Sequence, residues 1–310
     1  MKKKKKKQIL TISIILLLGV FLFFIAKYNK SIIDDLKPND NKDSINNNIK
    51  NDDKDSKSDN NKDDSNNPYK KMVNYKEQNL NRYVSYKDKN SDLNYQQVVT
   101  RVNIGLDYPF YGYISDTDMS KGYQILTNKY VRLASSYEPD DLESVSDDCF
   151  ISGNLYVRKM RKEAKEQFER LCLASVNNGT PVYGQSGYRE YNQQEKLYNN
   201  AVSSMGKEDA DNDTARPGHS EHQTGLTMDV SSTKWGNMLS FDKTDSYKWM
   251  QDNAYKYGFI LRYPKGYESI HGFVYESWHY RYVGVEVATD MHDNYPNLTY
   301  DEYYYMFIDK

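Results

Sequence analysis

The chain has 310 residues, with 42 basic against 44 acidic side chains and a formal net charge of -2. No basic stripe survives beyond the first residues, which excludes nucleic acid as the main partner. The length allows one or two domains, but composition changes near residue 70 and only the later part reads as globular.

The start, MKKKKKKQIL, runs straight into Ile9 to Ala26, an apolar stretch without a charged residue. About 18 such residues are what a helix needs to cross a bilayer core. The lysine block favours a cytoplasmic N-terminus, with the rest of the chain outside the cell. A cleaved signal peptide is the alternative; the apolar run is long for one, and no small-x-small site follows it. The expectation is a cytoplasmic tail over 1–8 and a single-pass transmembrane signal anchor over 9–26. Residues 27–70 are dominated by Asn, Asp, Lys and Ser. They cannot bury enough apolar surface to offset their ordering entropy, so they read as a disordered tether. At about 40 residues its mean span is about 35 Å. A pre-domain segment, 71–97, leads into a globular domain over 98–310.

In that domain VVTRVNIGL (98–106) is rich in β-branched residues and reads as a short strand. Residues 128–142 read as an extended surface segment. Apolar residues at helical spacing, Met160, Ala164, Phe168, Leu171 and Cys172, predict a helix of about six turns within 153–178, ended by NNG. Residues 181–189 read as a strand, Tyr191 to Met205 as a helix, and 206–218 as a polar loop forming a mobile rim. Strands follow at 226–232, 258–264 and 272–284, with a helix from Asp245 to Tyr257. Thr299 and Glu302 form a capping box for a terminal helix. Helices and strands alternate without a βαβ rhythm, which predicts an α+β fold with an antiparallel sheet and flanking helices. The two cysteines, Cys149 and Cys172, lack CxxC spacing, which excludes a cysteine-based zinc site. Because Cys172 falls in the amphipathic pattern beside Phe168 and Leu171, the pair is expected to be reduced and buried.

Five histidines occur in the chain, two of them in HSEHQTGLTMDV (219–230). A catalytic zinc site takes three ligands from histidine and carboxylate and keeps a position open. His222 and Asp229 offer two, with Gly225 allowing a turn between them, and His279 in ESWHYR is the candidate third. Glu276 precedes His279 by three residues, where a carboxylate can act as general base and then acid. In a regular strand residues three apart face opposite sides, so the pairing demands a bulge or strong twist. Lone histidines are more often satisfied polar residues than ligands, and His219, His271 and His292 are read that way. Arg262 and Arg281 are read as scaffold charges.

Four segments, SGYREYNQQ (186–194), SEHQTGLTMD (220–229), GFILRYP (258–264) and ESWHYRYVG (276–284), closely resemble the VanY-type D-alanyl-D-alanine carboxypeptidases. These are zinc peptidases related to VanX and LdcB and, more distantly, to the hedgehog fold group. The resemblance runs over about 98–295, and four motifs in family order make it specific. One departure is Thr227, where the pattern SxHxxGxAxD has alanine. The resemblance implies one zinc ion on His222, Asp229 and His279, Glu276 as catalytic base and Arg189 as oxyanion partner, with Gln194, Ser220, Tyr263 and Trp278 lining the substrate cleft.

The implied function is removal of the C-terminal D-alanine from peptidoglycan stem peptides, outside a cell membrane that the anchor would engage. Two rivals are an L,D-carboxypeptidase acting on tetrapeptide stems and a cell-wall-binding module without catalysis. An endopeptidase cutting cross-links is a third. The presence of both Glu276 and Arg189 argues against the inert module.

Overall fold

A computed structural model of the chain describes residues 67–151, 157–236 and 238–310. These belong to one compact unit. The anchor expected over 9–26 lies outside the described residues, as does all but the end of the tether, where Pro68–Lys71 forms a 3-10 turn. Among the described residues no helix is long and apolar enough to cross a membrane.

Two helices open the unit, α1 (Leu80–Lys89) and α2 (Tyr95–Ile104). The second replaces the strand expected over 98–106. Asn94 and Gln97 close a capping box at its start, and Gly105, at φ 106°, ends it in the left-handed conformation. Local β-branching is overridden because Val98, Val99 and Val102 pack on Tyr69 and Tyr83 from one helix face. The short strands β1 (Ser115–Asp116) and β2 (Val131–Arg132) pair in parallel. The stretch from Asn128 to Val131 is buried rather than on the surface, because Asn128 is held by the backbone of Tyr130 and Val131 and by Asp301.

Strand β3 (Leu142–Ser144) pairs antiparallel with β4 (Lys159–Arg161). This pairing shortens the long helix expected within 153–178 to α3 (Lys162–Asn177), and Met160 is buried from the strand instead. Cys149 and Cys172 form a disulfide, with Cα atoms 5.8 Å apart, contrary to the reduced pair expected. The amphipathic pattern locates Cys172 correctly on the buried face of α3, but the 3-10 turn ending at Cys149 docks on that face within bridging distance.

The central sheet contains β5 (Tyr183–Ser186), β6 (Thr227–Ser231), β7 (Phe259–Leu261) and β8 (His279–Tyr282) in the order β5-β6-β8-β7, all antiparallel. The α+β expectation therefore holds. Alternation along the strands sorts the sheet into two faces. Met228, Val230, Tyr280 and Tyr282 point into the main core with Phe168 and Leu171 of α3. Asp229 and His279, in the intervening positions, point the other way.

Helix α4 (Tyr191–Met205) follows β5, with the limits expected for it. Residues 206–218 are not a loop throughout, since Lys207–Asp213 form α5. Nor is this rim loose. Asp211 is bonded by Arg216, Lys207 and Tyr198, and its carbonyl accepts from Lys129 Nζ, which lies over Phe110 and Phe273. Beyond the sheet come α6 (Asp245–Asn253), α7 (Glu268–His271), α8 (Val285–Asn294) and α9 (Tyr300–Tyr303). The Thr299–Glu302 capping box is present. The two ends of the described unit meet: Asn74 Nδ2 donates to the carbonyls of Tyr305 and Asp309, and Lys76 pairs with the Asp309 carboxylate at 2.7 Å.

Candidate functional site

The site stands on the face of the sheet turned away from the main core. Asp229 of β6 and His279 of β8 are register partners, so their side chains emerge side by side. His222 comes from a 3-10 turn, Glu221–Thr224, that Gly225 closes at φ 67°. A side chain at Gly225 would also press on Leu142 and Arg161, at 2.9 and 3.1 Å. Glycine is therefore required there on two counts. Glu276 is in the turn entering β8, with its N–H donating to the carbonyl of Tyr263 and its own carbonyl accepting from the N–H of His279. The strand expected over 272–284 is confined to 279–282, and a turn rather than a bulge meets the demand that Glu276 and His279 face the same space.

His222, Asp229 and His279 each offer a ligand atom, all within 4.8 Å of one another. His222 Nε2 is 3.3 Å from Asp229 Oδ2, and His279 Nδ1 is 3.3 Å from Asp229 Oδ1. Tetrahedral zinc with bonds of about 2.1 Å sets its ligand atoms about 3.4 Å apart. Asp229 Oδ1 is buried and makes no hydrogen bond. Such an atom is costly unless a cation neutralises it, so the residues fit the ion. The outer imidazole nitrogens select the tautomers: His222 Nδ1–H donates to Gly187 O at 2.7 Å, while His279 Nε2–H faces Glu221 Oε2 at 3.4 Å. In its neutral form each ring then presents a lone pair to the cluster.

Electrostatics follow from burial and neighbours. Burial opposes protonation of His279, but Asp229, Glu221 and Glu276 outweigh it and hold its pKa well above the ordinary value. Burial pushes the Glu276 carboxyl up. Its Oε2 lies 3.2 Å from His279 Nδ1. Three carboxylates around two imidazoles give the space a cation-seeking character.

These residues line a cleft of about 290 Å³ together with Arg189, Gln194, Ser220, Tyr263 and Trp278, so every site residue expected from sequence is brought to one place. Arg189 Nη1 donates to Gln194 Oε1 at 2.9 Å and Nη2 to Ser186 Oγ at 3.0 Å. Gln194 in turn donates to Ala215 O at 2.7 Å, so it holds Arg189 as well as lining the cleft. Tyr263 packs on His279, with ring centroids 4.7 Å apart. His219 and His271 are satisfied by backbone partners, and exposed His292 pairs with its neighbour Asp293. Arg262 and Arg281, expected as scaffold charges, stand outside the cleft lining, fully buried on Glu221. Glu221, beside His222 in the same buried turn, belongs to the surroundings of the cluster without a local signal in the sequence.

The family model described as VanY, D-alanyl-D-alanine carboxypeptidase, matches residues 157–285. YodJ of Bacillus subtilis (strain 168) is 43% identical over 181 residues, which cover 58% of this chain and 66% of that protein, just under two thirds of its length. The bifunctional D-Ala-D-Ala dipeptidase and D-Ala-D-Ala carboxypeptidase VanXYC of Enterococcus gallinarum is 32% identical over 164 residues, 52% of this chain and 83% of that one. Among solved structures, that of the LdcB LD-carboxypeptidase shares 40% identity with a TM-score of 0.57, covering 62% of this chain and 90% of that chain. The fold, the motifs in order and the geometry of the cluster agree with these likenesses, and the chain belongs to the VanY family of D-alanyl-D-alanine carboxypeptidases.

Proposed function

We propose that the protein is a zinc-dependent D-alanyl-D-alanine carboxypeptidase that removes the C-terminal D-alanine of peptidoglycan stem peptides. The observation that carries this reading is the cluster of His222, Asp229 and His279 with Glu276 beside it and Arg189 in the same cleft. Zinc, when bound by these three residues, polarises the scissile carbonyl and lowers the pKa of the attacking water. Glu276 takes the proton of that water and delivers it to the departing amine of D-alanine. Two of the five guanidinium donors of Arg189 are engaged by Ser186 and Gln194, which fixes the plane of the fork. The remaining donors serve the oxyanion that develops at the carbonyl. Ser220, Tyr263 and Trp278 shape the cleft around the terminal residue.

One observation favours an L,D-carboxypeptidase as the second reading. Asp213, at the end of α5, lines the cleft, and its carboxylate accepts from Thr214 Oγ1 and pairs with no basic side chain among the described residues. An L,D cut follows a diamino acid, whose side-chain ammonium would meet Asp213; a D,D cut follows D-alanine, which carries only a methyl. The 40% identity to the LdcB LD-carboxypeptidase points the same way.

The anchor over 9–26 belongs to this proposal, with the catalytic unit outside the cell membrane. Its support is the lysine block followed by the uncharged apolar run, together with the disulfide, which suits an oxidising exterior.

The test incubates the full chain and zinc separately with pentapeptide and tetrapeptide stems, following released D-alanine by mass spectrometry with Glu276→Gln as control. Release from pentapeptide alone is expected. Release from tetrapeptide, weakened by Asp213→Asn, would establish the L,D reading, and release from neither would overturn both.

A further inference from the structure

The cluster rests on a buried ionic layer that the mechanism does not use. Glu221 sits immediately before the ligand His222 but points beneath the other ligand, with Oε2 3.4 Å from His279 Nε2. Its Oε1 accepts from Arg262 Nε at 2.7 Å and from Arg281 Nη1 at 2.9 Å. Arg262 Nη1 continues to Asp301 Oδ2 at 2.6 Å, on α9, and Asp301 Oδ1 accepts from Asn128 at 2.6 Å. The side chains of Glu221, Arg262 and Arg281 have no solvent exposure, and Asp301 is equally buried. Thr227, the residue that departs from the family pattern, directs its hydroxyl to Glu221 Oε2 at 3.5 Å.

Four buried charges are a poor route to stability, since apolar residues of similar size do as well or better. Their arrangement is a good route to fixing one imidazole. A carboxylate accepting from the outer N–H of a ligand histidine selects the tautomer, sets the ring plane and strengthens the inner nitrogen as a donor. The carboxylate must itself be held, and two guanidinium groups on one oxygen leave the other free to face His279. Asp301 and Asn128 lie outside the residues matched by the family model, so the layer is completed by segments before and after that module.

We propose that Glu221 is a positioning residue for the metal ligand His279, and that α9, through Asp301 and Arg262, holds Glu221 in place. This rests on the metallopeptidase reading above.

The experiment measures zinc dissociation by chelator competition on the full chain, beside kcat and KM on the stem peptide that the wild type cleaves. Glu221→Gln keeps size and loses charge. It is expected to weaken zinc about 10- to 100-fold, and to lower kcat with KM little changed. Asp301→Asn acts one step further away and moves both readouts the same way by a smaller factor. Folding of each variant is checked by near-ultraviolet circular dichroism. A folded Glu221→Gln with wild-type zinc affinity overturns the inference. Where that variant does not fold, Asp301→Asn decides: weaker zinc supports the proposal and unchanged zinc overturns it. Collapse of both variants also overturns it, because the layer would then serve the core alone. A wild-type chain that takes up no zinc would sink the metallopeptidase reading first, a result distinct from all of these.

Discussion

Asp229 and His279 stand directly opposite each other on adjacent antiparallel strands, with Asp229 Oδ1 3.3 Å from His279 Nδ1. Sheet register, the least adjustable feature of the fold, thus sets the spacing of two ligand atoms, and only His222 depends on a turn. Zinc should accordingly stabilise a largely preformed site. A zinc excess of about 100-fold over its dissociation constant is expected to add about 2.7 kcal/mol to stability. Melting curves with and without a chelator measure this, and Asp229→Ala should abolish the difference.

Glu276 lies beside the His–Asp–His set without belonging to it, and the proposed function gives it the proton. Glu276→Gln is expected to lower kcat by about 100- to 10,000-fold, while zinc bound per chain, measured by atomic emission, stays at the wild-type value. Loss of the metal in this variant would show that Glu276 belongs to the ligand set instead.

Arg189 offers a flat fork clamped by Ser186 and Gln194. A lysine cannot reproduce that fork, so Arg189→Lys should reduce kcat by about 100-fold with a smaller change in KM. Steady-state kinetics of the purified variant supply the comparison. An equal effect on KM alone would assign the residue to ground-state binding.

His271 ties stability to pH. Its Nδ1 accepts the N–H of Phe273 and its Nε2–H faces Pro264 O, so the buried ring is used in its neutral form. Burial, with help from the Arg262 charge, lowers its pKa to about 4. The unfolded chain binds this proton below about pH 6.5 and the folded chain does not until about pH 4. The contribution is complete above the unfolded value and is lost as pH falls through that window, amounting to about 3 kcal/mol. Urea midpoints from pH 7 to pH 4 should show the decline, and His271→Gln should flatten it.

The disulfide closes a loop of sequence separation 23. Chain entropy assigns such a loop about 3 kcal/mol. Cys149→Ser with Cys172→Ser is expected to lower the melting temperature by about 6 to 12 °C. Activity at 25 °C should persist, because neither cysteine touches the cleft.

Much of the site was legible because its chemistry needs particular side chains at close spacing. His222, Asp229 and His279 could be read from two short motifs; the alternation of β6 and β8 delivers Asp229 and His279 to one face, and a turn brings His222 to them. Glu276 was legible as a neighbour of His279 but not in geometry, since a turn cannot be told from a strand end by composition. The segment 98–104 was misread because three valines favour a strand, whereas Asn94, Gln97 and Gly105 carried the opposite and stronger capping signal. Glu221, Arg262, Arg281 and Asp301 come from four distant stretches, and nothing local announces that their charges will be buried together. The bond between Cys149 and Cys172 was hidden for the same reason: it depends on where a turn docks on α3.

The clasp between Asn74, Lys76 and the residues around Asp309 brings the beginning and end of the described unit to one spot. Topologically the unit is a ring with a narrow gap. A circular permutant, joined by a short linker across that gap and opened at an exposed turn such as the one at Gly266, should keep the cleft and its three ligands intact. The order in which the ribosome delivers these segments is then incidental to the architecture they reach.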